Sequence, residues 1–256
     1  MTNWTTTYFG QLYHEIYSGY VLDDERSAAE AAFASDILGL GNRTVLDLAS
    51  GFGRHTRWLA HANRVYALEL NPKYIEAMTE SLPERLAKKV TPLCADMRSI
   101  PLEDASVDAA ILLFNSFGYF DTDGAQSGDN RRVLSEVFRV LKPGGGFLLE
   151  LPNPRALLEA VEENPRRVVL VGDYEIHEEF EWDAAASVLG NRTRFVGPES
   201  EEEAEYRLRL YSPAEIKALL EETGFRVRRQ YGSYDGDRFR PVASDSLILH
   251  AVKPSR

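Results

Sequence analysis

The sequence predicts an α/β fold: a seven-stranded, mostly parallel sheet with flanking helices, an N-terminal helical lid and an inserted antiparallel sheet. Three observations carry this. Between residues 44 and 151, short apolar strands alternate with helix-length segments, the rhythm of a parallel sheet. Residues 107–114 (VDAAILLF) form a continuous apolar run, as a strand covered on both faces requires. Residues 166–211 alternate apolar and polar positions instead, the period of antiparallel strands with one solvated face.

The first forty residues read as helical, with Tyr8, Tyr13, Tyr17 and Tyr20 clustered early. Asp23 or Asp24 caps a helix through Ala28, Ala32 and Phe33 to Leu38, and Gly39 and Gly41 end it. Residues 44–49 make the first strand, interrupted only by Asp47, followed by a glycine turn and a helix over 54–62. Residues 64–70 are the second strand, and Pro72 suits the first position of the next helix. The third strand covers 90–95 and the fourth 107–114. A helix over 129–141 is stopped by the Lys142-Pro143-Gly144-Gly145-Gly146 run, read as a turn before a fifth strand at 147–151. After the insertion, Ser212-Pro213-Ala214-Glu215 has capping-box spacing, and 225–231 and 246–252 supply the last two strands.

Composition narrows the function classes. Forty acidic against twenty-nine basic residues give a formal charge of −11, a field that repels a phosphate backbone, so no nucleic-acid partner is expected. No run approaches the ~20 apolar residues of a membrane span, and the N-terminal segment lacks a secretion pattern, which predicts a cytoplasmic protein with no membrane partner. Cys94 is the only cysteine, so neither an intrachain disulfide nor a cysteine metal cluster is expected, and no metal is predicted. The N-x-T sequons at Asn3, Asn42 and Asn191 are read as chance.

Three sites fall at the C-terminal ends of predicted parallel strands, the edge along which open α/β sheets bind ligands. The first is Asp47-Leu48-Ala49-Ser50-Gly51-Phe52-Gly53, whose small residues let backbone approach a ligand ahead of a helix N-terminus. A nicotinamide fingerprint would need a third glycine where Thr56 stands. Glu69, eighteen residues after Gly51, ends the second strand, where an acid can accept hydrogen bonds from ribose hydroxyls. Asp96-Met97 follows the third strand and suits an adenine ring, the carboxylate taking the exocyclic amine and the thioether packing the face. Read singly, each of these is also an ordinary turn, edge or capping feature.

Taken together, residues 45–53, Glu69 with Asn71-Pro72, Ala95-Asp96-Met97-Arg98 and Leu141-Lys142-Pro143-Gly144-Gly145 resemble the motif series of class I S-adenosylmethionine-dependent methyltransferases. Ala49 and Ser50 stand where that family often has glycine and a small residue, and both are small. A narrower resemblance rests on Tyr13 and Tyr17, Phe114-Asn115-Ser116-Phe117-Gly118-Tyr119, the late insertion and Tyr211-Ser212-Pro213. These are similar to small-molecule N-methyltransferases of the amino-sugar and glycine types.

The resemblance implies a Rossmann-like fold and S-adenosylmethionine as cofactor. The cofactor would be held by Tyr13, Tyr17, Asp47, Ala49, Ser50, Gly51, Gly53, His55, Glu69, Leu70, Asp96, Met97, Phe114 and Asn115. Phe117, Tyr119 and Phe120 are candidates for the substrate lid, where aromatic faces stabilise a sulfonium or alkylammonium. The chain reads as one methyltransferase domain: lid 1–40, cofactor-binding core 41–152, insertion 166–211, and 212–256 completing the sheet. Tyr13 and Tyr17 also fit an aromatic stripe at helical spacing in a core.

The expected reaction is methyl transfer to a small-molecule acceptor at nitrogen or oxygen, by in-line displacement that needs orientation and water exclusion. His14, His55 and His177 are scattered, and no side chain is singled out as a catalytic base. A nucleic-acid methyltransferase would share the cofactor site, but Phe114-Asn115-Ser116-Phe117 replaces the Asn/Asp-Pro-Pro-Tyr motif it needs. A non-catalytic cofactor-binding protein and a dehydrogenase are the other readings. The aromatic-rich lid and insertion also suit a homodimer interface.

Overall fold

The computed structural model describes residues 11–17, 23–122 and 128–255. Tyr8, Tyr20 and the Asn3 sequon lie outside the described residues, as does most of the segment 1–22. A short helix α1 (Gln11–Ile16) precedes α2 (Asp24–Leu38). The Asp23 side chain caps α2 by accepting from Arg26 N, and Gly39 closes it in the left-handed region at φ 60°.

The sheet is built from β1 (Thr44–Leu48), β2 (Arg64–Glu69), β3 (Val90–Cys94), β4 (Val107–Leu112), β5 (Leu141–Pro152), β10 (Arg226–Tyr231) and β11 (Ser246–Val252). The remaining strands, β6 (Arg166–Val171), β7 (Tyr174–Asp183), β8 (Val188–Val196) and β9 (Glu201–Arg209), form a separate antiparallel sheet in that order. The main sheet runs β10-β11-β5-β4-β1-β2-β3, with β11 antiparallel to β5 and to β10 and the rest parallel.

Chain direction across the sheet reverses between β1 and β4: the chain moves outward from β1 through β2 to β3, then returns to place β4 on the other side of β1. Connections therefore leave the C-terminal ends of β1 and β4 toward opposite edges and open a crevice between them. The apolar strands that flank it are buried on both faces. One core, with Leu46, Leu112, Phe147 and Leu249, lies on one face, and a second, with Val45, Ile111, Leu148 and Ile248, on the other.

Helices α3 (Thr56–Leu59), α4 (Pro72–Ser81), α5 (Glu84–Ala87), α6 (Asp129–Val140), α7 (Pro154–Glu163) and α8 (Pro213–Thr223) complete the described elements. Asn71, Asn153 and Ser212 cap the three proline-led helices α4, α7 and α8, and Ser212 and Glu215 form a full capping box on α8.

Two expectations are corrected. The helix expected over 54–62 is regular only at Thr56–Leu59, because Gly53 to His55 belong to the turn that leaves β1. The Lys142–Gly146 run is not a free turn. It continues β5 from Leu141, with a register shift opposite Val107 and Ala109 that absorbs the extra residues in a bulge.

Candidate active site

The ends of β1, β2 and β4, together with residues 95–97 after β3, wall one cavity of about 370 Å³, roofed by α1 and the inner face of the second sheet. At its floor the chain leaves β1 through Ala49 at φ 49° and Gly51 at φ 57°, and the β4 end turns through Phe114 and Asn115, both at φ 56°. Left-handed backbone at three non-glycine residues around one cavity is strain that a packed surround must hold, and such strain gathers at binding sites.

The glycine loop is fastened from below. Asp47, fully buried, accepts from Thr56 Oγ1 at 2.6 Å, and its burial, opposed by His55 and that hydroxyl, pushes its carboxyl above the usual range. A Cβ on Gly53 would lie 2.4 Å from Met78 Cγ, so this glycine lets the loop pack on α4. Gly53 itself is not among the residues that line the cavity. Gly51 has nothing within 4 Å of where a Cβ would stand, and its backbone borders the open space.

Glu69 is tied to the loop more firmly than a solvated strand end would be. Oε2 accepts from Gly51 N at 2.9 Å, and Oε1 from Leu70 N and Asn71 N, both at 2.8 Å. Burial raises its pKa against the pull of those three amides. A carboxylate has about four acceptor positions, so about one remains for a ligand. Asp96 lines the cavity, but Arg98 holds it through Nη2 at 2.7 Å and its backbone N at 2.8 Å. Against the upward pull of burial, Arg98 keeps Asp96 below the usual carboxylate range, while its own guanidinium covers the Phe120 ring at 4.3 Å.

Tyr13, Tyr17, Asp47, Ala49, Ser50, Gly51, His55, Glu69, Leu70, Asp96, Met97, Phe114, Asn115, Tyr119 and Phe120 all line this cavity. Phe117 does not: it is 1% exposed and packs in the core beside Tyr211, because the turn after β4 directs it inward. His177 sits on the outer face of the second sheet against Glu175 Oε2 at 2.7 Å, away from the site. His14 packs against Phe52 and Tyr74, joining α1 to the glycine loop and α4.

Several contributors carry no sequence signal of their own. Arg54 lines the cavity with its guanidinium 4.7 Å from the Phe114 ring centre and pairs with buried Glu30 at 2.6 Å. Glu30 also meets His55 Nε2 at 2.7 Å and Arg26 Nε at 2.9 Å; burial alone would raise its pKa, and these partners instead hold it at about 2. Beneath the β4 turn, buried Glu150 accepts from Phe114 N at 2.5 Å, Tyr234 Oη at 2.6 Å and Ser246 Oγ at 2.9 Å. From the roof come Tyr74, Arg167, Glu178, Phe180 and Tyr206.

Three polar atoms facing this region are buried without a hydrogen-bond partner: Ser50 Oγ, Tyr74 Oη and Asn115 Oδ1. Unsatisfied groups of this kind cost roughly 1–3 kcal/mol each unless something supplies a partner. Their convergence on one cavity marks a polar ligand's place.

The model of the methyltransferase domain family matches residues 45–145, the segment that carries these strand ends. These residues are similar to a methyltransferase domain. The domain is similar to an uncharacterised methyltransferase of Mycobacterium tuberculosis, 33% identical over 110 residues, covering 43% of this chain and 40% of that protein. The chain thus spans about two-fifths of the length of that relative. A glycine/sarcosine N-methyltransferase of Parasynechococcus marenigrum is 27% identical over 224 residues, 84% of this chain and 75% of that protein. Among solved structures, the CcbJ methyltransferase of Streptomyces caelestis superposes with a TM-score of 0.81 at 19% identity, over 97% of this chain and 98% of that one. That likeness shows a shared fold.

Proposed function

We propose that this chain is an S-adenosylmethionine-dependent methyltransferase that modifies a small molecule at nitrogen or oxygen. The observation that carries the reading is the single cavity in which the Gly51 backbone, the anchored Glu69 carboxylate and the orphaned Ser50, Tyr74 and Asn115 atoms converge. These residues fit the group. The open space over Gly51 admits close approach, Glu69 keeps an acceptor position for a ribose hydroxyl, and Met97 offers a soft face to adenine beside Asp96.

Bound there, S-adenosylmethionine supplies an electrophilic methyl carbon on a sulfonium, for in-line transfer to an acceptor lone pair with the thioether as leaving group. The chain's own part is to orient and to exclude water. Tyr13 of α1 and Tyr17 just after it, their rings stacked at 4.1 Å, cover the cavity. Tyr119 and Tyr206 close it from the β4 turn and the second sheet, 5.6 Å apart. Nitrogen is the favoured acceptor atom, on the similarity to the glycine/sarcosine enzyme. The lid and insertion would select the acceptor while the main sheet holds the cofactor, in a cytoplasmic protein with no nucleic-acid partner that works as a monomer or homodimer.

Calorimetry with S-adenosylmethionine, S-adenosylhomocysteine and NAD tests the reading. Binding of the first two at one site is expected, followed by label transfer from methyl-labelled cofactor into a metabolite extract. A folded protein that binds neither, or binds NAD instead, overturns it.

A further inference from the structure

Over the cavity, the inner face of the second sheet is largely apolar, with Glu202 at one end accepting from Leu12 N at 3.3 Å. Ile176, Phe180, Leu189, Phe195, Ala204 and Leu208 are all buried there. Among them sits a polar row. Thr193, fully buried, donates to Asn191 Oδ1 at 2.5 Å, and Asn191, 3% exposed, reaches Glu178 Oε1 at 3.5 Å. The other Glu178 oxygen receives Arg167 Nε at 2.6 Å from the neighbouring strand.

Asn191 and Thr193 are the ends of a sequence sequon, and here they are the buried support of a carboxylate. Burying two polar side chains in an apolar sheet face is costly unless they are satisfied, and their only shared outlet among the described residues is Glu178. Both side chains border the cavity, Glu178 at 12% exposed and Arg167 at 47%, and Arg167 lies over the Phe180 ring at 5.1 Å. Arg167 thus fixes the carboxylate from the solvent side, while Glu178 faces Tyr17 and Tyr206. Its charge joins burial in raising both phenols, Tyr17 to about 12, so these rings stay neutral around it.

A fixed carboxylate ringed by neutral aromatic faces recognises a cation of modest size, with the rings taking the alkyl surface and the quadrupoles adding attraction. We propose that Glu178, held in place by Thr193, Asn191 and Arg167, binds the ammonium group of the acceptor, which gives up a proton to solvent before its nitrogen lone pair attacks, and makes this site discriminate by charge. The inference rests on the methyltransferase reading for the word acceptor. The cation site itself does not depend on it.

The test uses three rings of one size: cyclohexylamine, cyclohexanol and cyclohexanecarboxylate. Each is titrated into the full chain by ligand-observed NMR, with and without saturating S-adenosylhomocysteine. The amine should bind roughly tenfold or more tighter than the alcohol, and the carboxylate weakest. Glu178→Gln should weaken amine binding roughly 10- to 100-fold, the range a charge-assisted hydrogen bond spans, and change S-adenosylhomocysteine affinity far less. Thr193→Val, which removes only the support, should lose part of that preference.

Equal affinity for amine and alcohol, no amine binding, or an undiminished preference in Glu178→Gln would each overturn the assignment. A chain that prefers the amine but binds no S-adenosylhomocysteine keeps the cation site and loses the methyltransferase reading. One that binds S-adenosylhomocysteine without an amine preference does the reverse.

Discussion

Replacing Glu69 with glutamine separates the two duties that this residue performs. Oε1 accepts from Leu70 N and Asn71 N, and a glutamine oxygen can keep both bonds. The amide NH2 then falls where Oε2 stood, donor against donor with Gly51 N, which Oε2 meets at 2.9 Å. Losing that bond leaves one buried backbone donor unsatisfied, at a cost of about 1–3 kcal/mol. For a chain of this size each kcal/mol lowers the melting temperature by about 2–4 °C, so a drop on the order of 2–12 °C is expected. A second cost appears only on binding. The last free acceptor position on the carboxylate is replaced by a donor, which removes a charge-assisted hydrogen bond and about 10- to 100-fold in cofactor affinity. Thermal melting with and without S-adenosylhomocysteine, beside calorimetry, reads both effects. A Glu69→Gln protein with wild-type melting temperature and wild-type affinity would refute the carboxylate's double role. Glu69→Ala is the poorer experiment, since it strips all three amides at once and blurs stability with binding.

The two loop glycines should fail differently. Gly53→Ala sets a methyl 2.4 Å from Met78 Cγ at φ 82°, so it should lower stability by about 2–4 kcal/mol in urea unfolding, from overpacking and left-handed strain. Gly51→Ala meets no protein atom at φ 57° and should cost only about 1–2 kcal/mol of stability while it weakens cofactor binding more than Gly53→Ala does. Ala49→Gly, at φ 49°, should relieve strain and leave the protein as stable or up to about 1 kcal/mol more so by the same unfolding assay. Glu30→Gln should destabilise by about 3–5 kcal/mol at neutral pH, since it leaves Arg54 and Arg26 without a buried counter-charge. Because the Glu30 pKa is depressed from 4.5 to about 2, its contribution is present above pH 4.5 and lost as pH falls toward 2. The gap between wild type and variant should therefore narrow over that window in pH-dependent unfolding.

Much of this architecture was legible in the chain as written. Apolar runs set β1 to β5, Asp23, Asn71 and Ser212 set helix starts, and the change of period after Pro152 marked the second sheet. The strand-end residues Gly51, Glu69 and Asp96 could be named because each lies at or within three residues of a strand's end, and local pattern fixes where a strand stops. Local pattern also misled. Phe117 belongs by sequence with Tyr119 and Phe120, yet the turn after β4 sends it into the core.

What the sequence by itself determined is the order and type of elements, since periodicity and capping act over a few residues. Tertiary structure alone decided which side chains meet. Glu30 and Arg54 are 24 positions apart, Phe114 and Glu150 are 36, and Glu150 and Tyr234 are 84. No local signal marks such pairs, because a carboxylate on an amphipathic helix or strand reads as solvated until another element covers it. The same holds for Glu178, whose meaning depends on Asn191 and Thr193 of the next strand and on the cavity the second sheet roofs. Burial turns these ordinary charges into a built site, and burial is a property of the packed chain.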